Sequence, residues 1–89
     1  MRVFLTGTSR ICTTKAVDTL EKCREAVDII KNEIPNAQFG RSVTYDFFPK
    51  GCFLYVSDDD FKDQVFFNEH STGSPAGNTR HICEETGKL

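Results

Sequence analysis

Residues 49–55 read PKGCFLY, and the reading of Cys52 in that stretch decides the fold. Proline, lysine and glycine lead into the cysteine, and an aromatic run suited to a strand follows it. With Phe48 in front, FPKG carries proline at the second turn position and glycine at the fourth. That order predicts a type I turn closed by a glycine bulge, joining two strands of a hairpin. Cys52 then begins the second strand. The first falls in SVTYDFF (42–48), where Val43, Tyr45 and Phe47 alternate with Thr44, Asp46 and Phe48. QVFFN (64–68) reads as a third strand, reached through the acidic turn SDDDFKD (57–63). RVFL (2–5) reads as an edge strand and RHIC (80–83) as a last short one, after the polar loop EHSTGSPAGNT (69–79).

A sheet with one apolar face needs a cover, and DTLEKCREAVDIIKNEI (18–34) supplies it. Leu20, Cys23, Val27, Ile30 and Ile34 recur at spacings of three and four with Ala26 beside them, which is one face of a helix. Asp18 and Glu21 have capping-box spacing, with aspartate as the cap. Pro35 disfavours helical geometry at Ile34 and stops the helix there. The predicted fold class is α+β: one amphipathic helix on a small antiparallel sheet, a single domain over 1–89.

Eighty-nine residues bury a modest core, so such a domain needs staples. Four cysteines predict two disulfides and an oxidising setting, either extracellular, an organelle lumen or a virion surface. Cys23 lies on the apolar helix face and Cys52 on a strand that should be central, so a bridge between them pins helix to sheet. Cys12 and Cys83 stand near the two ends. Geometry ranks the pairing 12–83 with 23–52 first and 12–23 with 52–83 second. Loops of about 30 and about 70 residues contribute roughly 3.6 and 4.4 kcal/mol as upper figures.

Other chemistry is weaker. No two cysteines fall within ten residues of each other, and His70 and His81 are eleven apart, so the close ligand pairs of a zinc site are missing. His81 and Cys83 share one side of a strand, but four paired thiols leave no lone nucleophile for a Cys–His couple. Asp58, Asp59, Asp60 and Asp63 crowd one turn without the order of a calcium loop. Asp46 alone among the acids has an aromatic setting that would raise its pKa. No catalytic residue, metal or cofactor is expected. A formal charge of −2 with scattered basic residues argues against nucleic acid as a partner. No apolar run reaches the roughly 20 residues of a spanning helix. No Asn-x-Ser/Thr sequon occurs. MRVFLTG is too short for the apolar region of a signal peptide, so either a leader has been removed or Met1 opens a short mature chain.

The aromatics carry the open question. Phe47/Phe48 and Phe66/Phe67 are adjacent pairs, and on strands one member of each points away from the other. Rings left on the open face would form a docking patch, unless a loop or the N-terminal strand covers them.

The segments CREAVDII, FPKGCFLY and QVFFNEHSTGSPAGNTRHIC together resemble a small cysteine-rich domain of algal and other protist proteins, with Cys12 matching a cysteine before the helix. More loosely the arrangement is similar to PAN/apple modules, in which a helix is stapled to an antiparallel sheet. The resemblance implies a non-catalytic module that binds protein or glycan. PAN/apple domains sit in longer chains, and a domain that stands alone suggests instead an accessory subunit of a larger complex. A module would bind through its loops, including Asp58, Asp59 and Asp60. A subunit would dock through Phe48, Phe53, Tyr55 and Phe66.

Overall fold

The structure is a computed structural model and describes residues 2–85; Met1 and the last residues of the expected domain lie outside the described residues. Six strands and one helix follow in the order β1 (Val3–Thr8), β2 (Lys15–Ala16), α1 (Leu20–Ile30), β3 (Gln38–Val43), β4 (Pro49–Tyr55), β5 (Gln64–Gly73) and β6 (Thr79–Glu84). The sheet runs β1-β6-β4-β5-β3, and β2 pairs with β6 beside that path.

The α+β reading holds, but the sheet is mixed. β4 pairs antiparallel with β5 and β6, whereas β3 pairs parallel with β5. The expected 42–48/52–56 hairpin is therefore absent. β3 ends at Val43, β5 lies between β3 and β4, and Pro49 is already inside β4. Residues 44–48 arch over β5 to join strands two places apart. Gly51 does take a positive φ of 88°, at a shift of register between Pro49 and Gly51. The glycine signal was thus real, but it marks a bulge within a strand and not the end of a turn. A Cβ there would also meet the Val17 carbonyl oxygen at 2.8 Å. Cys52 sits in the middle of β4, not at its start.

Helix α1 begins one residue later than the capping box implied. Thr19 is the cap, with φ −130° and ψ 152°, and its hydroxyl accepts from the Lys22 N–H at 3.2 Å. The helix ends at Ile30, four residues short of Ile34. Asn32 and Glu33 donate to the carbonyls three residues back, so the chain winds tighter as it approaches Pro35. Cys23, Ala26, Val27 and Ile30 are buried, as their period requires, while Leu20 is exposed. β5 runs on to Gly73 through the stretch expected as loop, because its backbone pairs Gly73 with Pro49.

Alternation along the strands splits the interior in two. Cys52 and Leu54 of β4, Val65 and Phe67 of β5, and Ile82 of β6 pack under α1 with Val17 and Ala37. Phe53, Phe66, Asn68, His81 and Cys83 occupy the intervening positions, so they face the other way and are still buried. Disulfides link Cys12 to Cys83 and Cys23 to Cys52, with Cα–Cα distances of 5.6 and 5.4 Å. This is the pairing that geometry ranked first. The two bridges staple opposite faces of the sheet: one ties helix to β4, the other ties the N-terminal segment to β6.

Candidate functional site

On the face away from the helix, aromatic rings gather around a groove of about 270 Å³. The floor comes from the sheet. Phe53 on β4 is fully buried and Phe66 on β5 is 8 % exposed, with ring centroids 5.7 Å apart. The arch brings Phe48 onto Phe53 in a stacked arrangement at 5.2 Å and sets Phe47 and Tyr45 beside it. Tyr45 and Phe47 stack on each other at 4.8 Å. Tyr55 and Phe61 close the opposite end, each against Phe66. Val43 and Arg41 of β3 complete the lining. Seven of the ten aromatic residues thus share one site. Each offset or edge contact adds about 0.5–1.5 kcal/mol beyond area burial, so the rings hold one another in place.

Burial differs sharply within the set. Phe47 is 57 % exposed, Phe61 48 % and Tyr45 37 %. These three are the most exposed rings of the groove, and Phe48 and Tyr55 are half-buried. Gly40 makes the floor possible: a Cβ there would come within 2.8 Å of the Phe66 ring. It lies where the β3–β5 register shifts between Phe39 and Arg41.

Beside a backbone bond from the Ser74 N–H to the Phe48 carbonyl at 2.8 Å, one side chain anchors the arch. Asn68, on β5 beneath it and 1 % exposed, donates from Nδ2 to the carbonyls of Tyr45 (2.7 Å), Phe48 (3.0 Å) and Pro49 (3.0 Å). Its Oδ1 accepts from the N–H groups of Tyr45 (2.9 Å) and His70 (3.2 Å). Backbone N–H groups on one side and carbonyls on the other fix the amide orientation. Without that anchor the arch would have no regular pairing for its backbone.

The acidic turn is built similarly. Asp59 accepts from the Tyr55 hydroxyl at 3.1 Å and from the Phe61 N–H at 2.9 Å, so its carboxylate positions both rings at that end. Asp58 and Asp60 are exposed. Among the described residues no cluster of three or more histidine, cysteine or acidic side chains forms a metal site. Asp46 is exposed on the arch, not enclosed by aromatics.

His81 serves the same face structurally. Its Nδ1 accepts from the Cys12 N–H at 3.3 Å, which leaves Nε2 to donate to the Lys50 carbonyl at 2.7 Å. Burial holds its pKa below the ordinary value, partly offset by the Lys50 bond. The ring is a neutral tie between the Cys12 segment, β4 and β6. His81 and Cys83 do face one side, but Cys83 is bridged to Cys12 and no thiol is free.

The structure therefore brings Phe48, Phe53, Tyr55 and Phe66 together with Asp59, and leaves Asp58 and Asp60 outside the groove. Phe47 and Phe48 both line it, contrary to the expected opposition, because 44–48 is an arch and not a strand. Phe66 and Phe67 do oppose each other. Tyr45, Phe47, Phe61 and Arg41 were not singled out from the sequence as binding residues, and neither was Asn68. The available signal for the last was a lone amide directly after Val-Phe-Phe in a run otherwise suited to a core strand. No protein-family model matches the chain, and no curated protein or solved structure matches it either.

Proposed function

We propose that the chain is a non-catalytic binding module of an extracellular or oxidising luminal space, or of a virion surface, and that it recognises its ligand through the aromatic groove. The observation that carries this reading is the exposure of Phe47, Phe61 and Tyr45 around a floor of buried rings. Exposing large rings costs solvation free energy that burial would recover, so a shaped, open aromatic concavity is a feature of binding surfaces. Two disulfides accord with an oxidising environment. No helix among the described residues is long and apolar enough to cross a membrane.

Protein is favoured over glycan as the ligand. Sugar hydroxyls that leave water need hydrogen-bond partners. The Tyr55 hydroxyl is already committed to Asp59, which leaves little beyond Tyr45 and Arg41 to serve them. An aromatic centre with few charges matches the core of a protein interface. The accessory-subunit reading draws on the same observation, since Phe48, Phe53, Tyr55 and Phe66 share the groove. On this geometry the module reading moves from the loops expected for it to the aromatic face, where the subunit reading already stood.

The test compares two variants on a peptide library and a glycan array. Phe47→Ser with Phe61→Ser removes reachable rings without opening the core. Replacing residues 74–78 by glycine and serine alters the polar loop. Binding lost in the first and kept in the second supports the groove; the reverse pattern moves binding to the loop. Assembly into a stable complex that depends on Phe47 and Phe61, with no separable ligand, would favour the subunit.

A further inference from the structure

The groove lining holds a single formal charge. Arg41 stands on β3 in register with Phe66, and among the described residues its guanidinium makes no ion pair. The acidic turn closes one end of the same groove, where Asp59 accepts from the Tyr55 hydroxyl and the Phe61 N–H, but none of its acids lines the groove. An occupant is therefore met by aromatic rings and by one cation free to accept a carboxylate. Size narrows the class further. A volume of about 270 Å³ lies just under the roughly 300–1,000 Å³ typical of pockets that enclose a whole small molecule. It suits one or two anchor side chains of a longer partner.

We propose that the groove takes an extended segment of a partner protein in which an aromatic or branched aliphatic residue stands beside an aspartate or glutamate. The rings seat the anchor, and Arg41 pairs with the neighbouring carboxylate, for which its planar fork is well shaped. This deepens the reading of the aromatic face as the binding surface and rests on it. Because Arg41 is exposed, the pair contributes selectivity more than affinity; exposed ion pairs change binding by up to about fivefold.

Three sets of short synthetic peptides test it by fluorescence polarisation, each with a central phenylalanine or leucine flanked by aspartate, by lysine or by serine. Sodium laurate is added as a free apolar carboxylate. The native protein should prefer the aspartate set over the serine set by about threefold to fivefold, a margin that falls with added salt. Arg41→Glu, a change at an exposed position, should reverse the order in favour of lysine. Phe47→Ser should weaken all sets alike. Equal binding of all three sets, unmoved by Arg41→Glu but lost in Phe47→Ser, would overturn the acidic-partner proposal and leave the groove reading standing. Preference for lysine in the native protein would overturn it likewise. Saturable binding of laurate with none of any peptide would replace the protein segment by a small amphiphile. Peptide binding undiminished in Phe47→Ser would overturn the groove reading as well.

Discussion

Asn68 carries more of the site than any ring does. Its buried amide joins five backbone groups of β5 and the arch, with its two Nδ2 hydrogens shared among three carbonyls. Asn68→Ala takes this partner from the Tyr45 and Pro49 carbonyls and from the Tyr45 and His70 N–H groups, while the Phe48 carbonyl keeps the Ser74 N–H; partial solvation of a relaxed arch brings the cost down to about 2–4 kcal/mol, read by chemical denaturation. Asn68→Asp is the sharper variant. A carboxylate still accepts from the Tyr45 and His70 N–H groups but cannot donate, so three carbonyls face a negative charge. It should be less stable than Asn68→Ala at neutral pH and recover towards it as the carboxyl protonates. Equal stability of both variants with native protein would mean that the arch does not depend on this side chain. His81 gives a second prediction at this scale. Its folded pKa is lowered, mainly by burial, so the unfolded chain binds the proton more readily. The resulting contribution to stability is complete above the ordinary value near 6.5 and declines as pH falls through and below it. His81→Gln should be less stable at neutral pH but flatter between about pH 7 and 5, above the range where carboxylates titrate. Equally steep curves for the two proteins would refute the role given to the imidazole.

At the scale of elements, what could be read from the sequence divides by range. The helix was legible because its period is local, and so were the strand characters of 52–56 and 64–68. The hairpin was misread for the same reason: FPKG carries turn chemistry, but the chain's path there is set by Asn68, some twenty residues away in sequence. Nothing local announces a parallel β3–β5 pair, which requires β4 to be placed two strands from β3. The groove was half legible, since four of its rings were named, while Tyr45, Phe47, Phe61 and Arg41 come together only once the arch is known. The two disulfides tie these elements on opposite faces. Digestion without reduction should release a Cys12–Cys83 peptide and a Cys23–Cys52 peptide; a Cys12–Cys23 peptide would contradict the placement of the helix. Replacing either pair by alanine should cost roughly 3–4 kcal/mol, a large share of a margin of about 5–15 kcal/mol. Gly40→Ala tests the join between β3 and the groove floor. Its Cβ would force the Phe66 ring aside, costing about 1–3 kcal/mol as overpacking does. It should also weaken peptide binding.

For the molecule as a whole, the division of labour follows the two faces of the sheet. The helix side is a buried apolar core with the Cys23–Cys52 bridge inside it. The other side is buried at its centre and open along the groove, where reachable rings sit on rings that cannot move without disturbing the sheet. Such an arrangement is preorganised, so a ligand finds its contacts already formed and little ordering is required of the protein. The most direct test is chemical-shift mapping by nuclear magnetic resonance, titrating protein labelled on its backbone and aromatic side chains with the tightest-binding peptide. The largest changes should fall on Tyr45, Phe47, Phe61 and Arg41, with smaller ones on Phe48 and Phe66 and none on the exposed positions of α1. Changes centred on residues 74–78 or on the helix, with the groove rings silent, would contradict the assignment of this face as the binding surface.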